Sequence, residues 1–262
     1  MIYKRFAANL RAQNWFAIGI ELAIVVIGVF IGTQVSNWNQ ARLERRATER
    51  MIEELKPGLR SFIDFFETAK TYYAITGDYA STAFAGWESD PKTSDEQFVI
   101  SAYQASQVYT FGVNAVNWTR VFGGDQLANI SDPELRRGLA NLMTLNFDMI
   151  DMPAVDTPYR QNVRQVIPVD IQDAIRARCG DTVTPDKPLT QHLPATCDLD
   201  FPSSRWASAA SALRAEPDLA RQLRWHRAAV AAFLSNMDLF ERQTREVVAR
   251  IVENGKTEPA LS

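Results

Sequence analysis

Four side chains in this 262-residue sequence combine a reactive type with a suggestive spacing: Cys179, His192, Cys197 and His226. They are its only cysteines and histidines, so thiolate, imidazole and metal chemistry have few places to sit. Cys179-x12-His192-x4-Cys197 offers three ligand types, but the spacing matches no zinc signature and no fourth ligand stands out. The same two cysteines lie in one Pro-rich stretch, close enough to close a small disulfide ring, which leaves His192 incidental. His226 sits beside Trp225 on an apolar helical seam, the position of a packing histidine more than of a catalytic base. Asp148 and Asp151 share a helix end, where solvated carboxylates are commonplace. The chain has no G-x-S-x-G elbow, Walker A loop, G-x-G-x-x-G fingerprint, C-x-x-C or H-E-x-x-H. The expectation is therefore a protein that is not an enzyme, with no catalytic residue, cofactor or metal assigned.

A different chemistry is offered by Glu21. It is the only formal charge between residues 16 and 35, in a run that reads WFAIGIELAIVVIGVFIGTQVSNW from Trp15 to Trp38. Twenty helical residues cover about 30 Å, the thickness of a bilayer's hydrocarbon core. Trp15 and Trp38 stand at the two ends, where indoles favour the headgroup region. At 100° per residue, Glu21, Val25, Gly28, Gly32 and Val35 fall on one stripe, and the GxxxG pair lets two helix backbones approach closely. An isolated carboxylate in lipid costs on the order of 2–3 kcal/mol. Either Glu21 bonds to a partner helix packed on the glycine face, or it is a boundary-seeking carboxylate beside incidental glycines.

The basic start, Lys4, Arg5 and Arg11, also suits a cleaved signal peptide, but the apolar run is long for one and no A-x-A site follows. An uncleaved signal-anchor is the expectation. Arg42, Arg45, Arg46 and Arg50 balance the N-terminal cations, so the positive-inside rule does not set orientation. A Cys179–Cys197 disulfide would, because it requires an oxidising compartment such as the periplasm.

The run IGIELAIVVIGVFIGTQVSNWN, residues 18–39, resembles the IGE…IVVIG…QxxNWN anchor of an uncharacterised (domain-of-unknown-function) family of bacterial single-pass inner-membrane proteins. The matching positions are Gly19, Glu21, Val25 to Gly28, Gln34 and Asn37 to Asn39, with Ile20 inserted between Gly19 and Glu21. A second stretch, GGDQLANISDPELRRGLANL at 123–142, is similar to another segment of that family. The resemblance covers under a fifth of the chain. It implies a bacterial inner-membrane location and a helical body, and no activity.

These features need a scaffold. With 28 basic and 31 acidic residues and 46% hydrophobic content, the composition excludes collagen-like, disulfide-dense, polybasic and disordered classes. A mean hydropathy of −0.20 argues against a multi-span protein. Beyond residue 40 the body holds 25 basic and 30 acidic side chains, about −5, with no basic stripe for nucleic acid. The expected class is all-α: one N-terminal transmembrane helix continuing into a long-helix antiparallel bundle, without hairpin signals.

The membrane helix is expected to continue to about Leu55 and to be kinked or interrupted at Pro57-Gly58, with an apolar-rich stretch at Leu59–Phe84. Capping boxes at Ser94-x-x-Gln97 and Ser131-x-x-Glu134 open helices to about Thr110 and Asp151. Asn114–Phe122 looks helical, Gly123-Gly124 is a turn, and two short helices fill 158–179 on either side of Pro168. The clearest pattern is Leu219, Leu223, His226, Val230, Phe233, Met237, Phe240, Thr244, Val247 and Ile251, an unbroken 4-3 seam. A helix over Pro217–Asn254 would be about 57 Å long and needs an equally long partner, within the chain or in a second one.

The expected organisation is a short cytoplasmic N-terminus (1–14), the transmembrane signal-anchor (15–38), a helical extramembrane domain (39–255) with a Pro-rich loop at about 180–205, and a disordered tail (256–262). The expected function is a membrane-anchored interaction or scaffold protein of the bacterial inner membrane, its domain periplasmic. It would touch the lipid bilayer and associate with itself or another membrane protein through the Glu21/Gly28/Gly32 face, and bind no nucleic acid. The alternative is a periplasmic ligand-binding sensor or an accessory subunit of a membrane complex. A sensor would need a partner's output domain, since only about fourteen residues precede the span.

Overall fold

The computed structural model describes residues 15–109, 127–144, 157–185 and 187–257. The helix and turn expected at 114–124, Trp118, Asp148 and Asp151 lie outside the described residues. In order the elements are α1 (Trp15–Trp87), α2 (Asp95–Gln104), α3 (Pro133–Thr144), α4 (Pro158–Val166), α5 (Val169–Cys179), β1 (Thr182–Thr184), β2 (Lys187–His192), α6 (Ser203–Arg214) and α7 (Pro217–Thr257). Two compact units divide between Met51 and Ile52, inside α1.

In the first unit α1 is apolar on every side between Gly19 and Phe30 except at Glu21. All large apolar side chains from Ile20 to Trp38 are exposed, and none of the span's most apolar 18-residue window is buried. By length and composition this stretch can cross a membrane. The Thr33 hydroxyl donates to the Phe30 carbonyl at 2.8 Å, so its polarity is met inside the helix. Past Trp38 the surface turns polar, with Gln40 donating to Glu44 at 3.0 Å.

In the second unit α1 passes through Pro57 without a break. The expected interruption does not occur. An interior proline forfeits one backbone bond and costs about 3 kcal/mol. Opposing it, Leu55, Leu59, Phe62, Phe66, Ala69, Tyr73, Thr76, Ala80 and Ala83 form a buried 4-3 stripe that runs straight across the proline. Each fully buried large apolar side chain on it contributes roughly 1.5–3 kcal/mol.

The facing element is α7. All ten of its expected seam positions are buried. Its partner lies in the same chain: Arg245 pairs with Glu67 at 2.5 Å, Lys70 with Asp238 and Glu241, and the rings of Tyr73 and Phe233 meet at 5.6 Å. Numbers rise along α1 as they fall along α7, so the pair is antiparallel. The helix extends two residues beyond Gly255. α3 and α4 also pack on α7, while α2 lies against α4 and α6.

Local chemistry sets the shorter elements. Ser94 and Gln97 form the expected capping box, at 3.0 and 3.1 Å. α2 nevertheless stops at Gln104, six residues early, because Ala105–Tyr109 turns into the core and is buried there. The α3 cap is Asp132, not Ser131: its Oδ1 accepts from the Glu134 and Leu135 N–H groups at 2.9 and 3.3 Å, with Pro133 at the first helical position. Pro168 separates α4 from α5, and Gln172 Nε2 reaches back to the Arg164 and Ile167 carbonyls at 2.6 and 2.7 Å.

Three elements were not expected. β1 and β2 form an antiparallel pair, Thr182 opposite His192 and Val183 opposite Gln191, with an irregularity before Thr184. The hairpin lacks an Asn-Gly or Asp-Gly turn and is held by side chains far off in sequence. The Tyr109 hydroxyl accepts the Gln191 N–H at 3.0 Å, and Asp181 joins Tyr72 to Gln191. α6 then begins inside the stretch expected to be loop.

Candidate functional sites

The membrane-type face is built by helical periodicity alone. Glu21, Val25, Gly28, Gly32 and Val35 share a stripe of α1 and are exposed, Val25 by 60% and Val35 by 58%. A Cβ built on Gly28 or Gly32 meets nothing within 4 Å, so both backbones are open to close approach. Trp38 is exposed, with the Arg42 guanidinium 5.8 Å from its ring. Trp15 opens the helix, and its side chain lies outside the described set.

Cys179 and Cys197 are joined in a disulfide, with Cα atoms 5.7 Å apart. It ties the end of α5 to the segment leading into α6. Sulfurs bonded to each other do not ligate a metal, and His192 points elsewhere, its Nε2 3.1 Å from Thr184 Oγ1 across the hairpin. Among the described residues no group of three His, Cys, Asp or Glu side chains converges as a metal site would. His226 is 2% exposed, its Nδ1 2.7 Å from Thr157 Oγ1 and its ring 5.8 Å from that of Tyr159.

Sequence reasoning did not bring together a buried polar network beneath the hairpin. Tyr72 donates to Asp181 at 3.0 Å, and Tyr73 accepts the Tyr109 N–H at 3.2 Å. Burial pushes the Asp181 carboxyl above its ordinary value, opposed by the bonds from Tyr72 and Gln191. Burial also raises the Tyr109 phenol to about 12. Arg160 donates to the Ser106 carbonyl at 2.7 Å, Arg164 to Gln107 Oε1 at 2.9 Å, and Arg176 to the Tyr103 hydroxyl at 3.1 Å. These three guanidiniums gather around the C-terminal end of α2, where cations favour the helix dipole; Arg160 bonds a backbone carbonyl just past that end, and the other two bond side-chain oxygens.

A cavity of about 150 Å³ lies between α1 and α7. Tyr73, Thr76, Gly77, Ala80 and Ala105 form one side, and His226, Arg227, Val230, Ala231 and Leu234 the other. It exists because small residues replace the large ones that fill the rest of the α1 stripe. Of the Phe, Trp and Tyr side chains among the described residues, Tyr73 lines it. The signal that could have found it is the cluster Gly77, Ala80, Ala231, which is visible only once α1 and α7 are known to face each other.

Comparison of the chain with protein-family models, with curated proteins and with solved structures finds no match.

Proposed function

We propose that residues 15–38 form an uncleaved signal-anchor holding this helical protein in the bacterial inner membrane, its C-terminal domain periplasmic. We further infer that it associates there with itself or another membrane protein through Glu21, Val25, Gly28, Gly32 and Val35. The supporting observation is a stretch of α1 that is apolar all round and wholly exposed, with open space over both glycines. Lipid removes the cost of that exposure, and a second helix on the glycine face would give Glu21 a polar neighbour. The resemblance of residues 18–39 to a bacterial anchor, and a disulfide that suits an oxidising compartment, support the location and side. No catalytic role is proposed.

The test is crosslinking in native membranes with Gly28→Leu and Gly32→Leu. Loss of the crosslinked species is expected. Unchanged association in both variants shows that this face is not the interface. A C-terminal phosphatase fusion should be active in intact cells, and an inactive fusion that is fully expressed overturns the periplasmic assignment.

A further inference from the structure

We propose that the cavity between α1 and α7 is a binding site for a small aromatic monocarboxylate, its ring held between Gly77, Ala80 and Ala231 and its carboxylate by Arg227.

Size sets the first limit. Protein interiors close-pack with few spaces larger than a water molecule. This half-open pocket of about 150 Å³ is comparable in volume to a cavity that admits a single benzene ring. The walls set the second. Gly77, Ala80 and Ala231 present backbone and methyl groups, and Tyr73 presents a ring, so the body of the ligand is apolar and flat. Thr76 also lies in the wall, but its hydroxyl is already used, donating to the Tyr73 carbonyl at 3.0 Å.

Charge sets the third. Arg227 lines the cavity, is itself exposed, and forms no ion pair among the described residues. One helical turn to either side of it stand Leu223, Arg224, Val230 and Ala231, so α7 supplies no carboxylate to neutralise it. The nearby Arg224 guanidinium sits 5.8 Å from the Phe84 ring. An apolar pocket whose lining includes an arginine without an ion pair among the described residues suits an amphiphile with one negative end, and guanidinium binds carboxylate in a planar, two-point geometry. His226, fixed by Thr157, closes the inner wall.

The experiment uses the full chain in detergent micelles, titrated with benzoate, with benzene and with acetate, and followed by calorimetry and thermal unfolding. Benzoate should bind saturably and raise Tm, benzene should bind more weakly, and acetate should not register. Gly77→Leu extends a side chain into the chamber from a position where a Cβ meets nothing within 4 Å. It should abolish benzoate binding while leaving the helical circular dichroism intact. Ala231→Leu, from the opposite wall, should do the same and stands in if the first variant does not fold. Arg227→Gln should weaken benzoate by roughly tenfold, the scale of one charge-assisted bond, and leave benzene unchanged. Absence of benzoate binding overturns the proposal, as does binding that survives in a folded wall variant. Equal loss of benzoate and benzene in Arg227→Gln overturns the role of the guanidinium.

Discussion

Arg250 Nε donates to Asp132 Oδ2 at 2.6 Å across 118 residues of sequence, joining the last helix of the protein to the first turn of α3. The same carboxylate accepts from Asn254 Nδ2 at 2.6 Å and caps α3 through two backbone N–H groups. One side chain thus starts a helix and fixes another against it.

This arrangement predicts an acid-sensitive clasp. The bond from Arg250, backed by Asn254 and the backbone, holds the Asp132 carboxyl well below the usual carboxylate range. In the unfolded chain it titrates near pH ~4, so on acidification the unfolded state takes up the proton first. The stabilisation is complete above that pH and is lost as pH falls toward the folded value. Asp132→Asn should cost about 1–2 kcal/mol near neutrality and flatten the acid limb of a urea-unfolding series. An unchanged acid limb would remove Asp132 from the account.

Two glycines of α1 should respond in opposite directions. A Cβ on Gly86 would overlap the Phe98 ring, whereas one on Gly58 meets nothing within 4 Å. Gly86→Ala should destabilise by about 1–3 kcal/mol through overpacking, and Gly58→Ala should stabilise by about 0.5–1 kcal/mol through the lower entropy of its unfolded chain. Chemical denaturation of the two variants side by side checks the ordering, and like-signed shifts would contradict the packing described.

Reduction should loosen the second unit. The Cys179–Cys197 bond closes a loop of sequence separation 18, for which chain-entropy arguments give about 3 kcal/mol. Dithiothreitol should lower the Tm of the native protein and leave that of Cys197→Ser unmoved. A native Tm indifferent to reductant would mean that the bond does not form.

Alkaline titration should be cooperative. Burial raises the phenols of Tyr72, Tyr73, Tyr79 and Tyr159 above their ordinary value, and that of Tyr109 to about 12. Unfolded tyrosine ionises near pH ~10, so the unfolded state loses its protons first as pH rises. Stability should therefore fall above that pH, and tyrosinate absorbance from these rings should appear together with loss of helical signal. A smooth tyrosinate titration centred at pH ~10 in the folded protein would contradict their burial.

What the sequence revealed depended on how many elements a feature needs. The α7 seam from Leu219 to Ile251 and the Glu21–Val35 stripe require one helix each, and periodicity alone exposes them. The matching seam on α1 was harder to see, because Tyr73, Thr76, Ala80 and Ala83 dilute its apolar pattern and Pro57 reads as a stop. The hairpin at 182–192 stayed hidden because Tyr72 and Tyr109 hold it from far away in the chain. So did the cavity, whose small residues acquire meaning only from the face opposite.

The disulfide has a practical corollary. The chain contains two cysteines, and both are consumed by one bond. The oxidised native protein is therefore silent toward maleimides and other thiol reagents. A cysteine introduced anywhere along α1 becomes a unique handle for spin labels, fluorophores or zero-length oxidation. Neighbours of the Glu21/Gly28/Gly32 face can then be mapped residue by residue without first building a cysteine-free background.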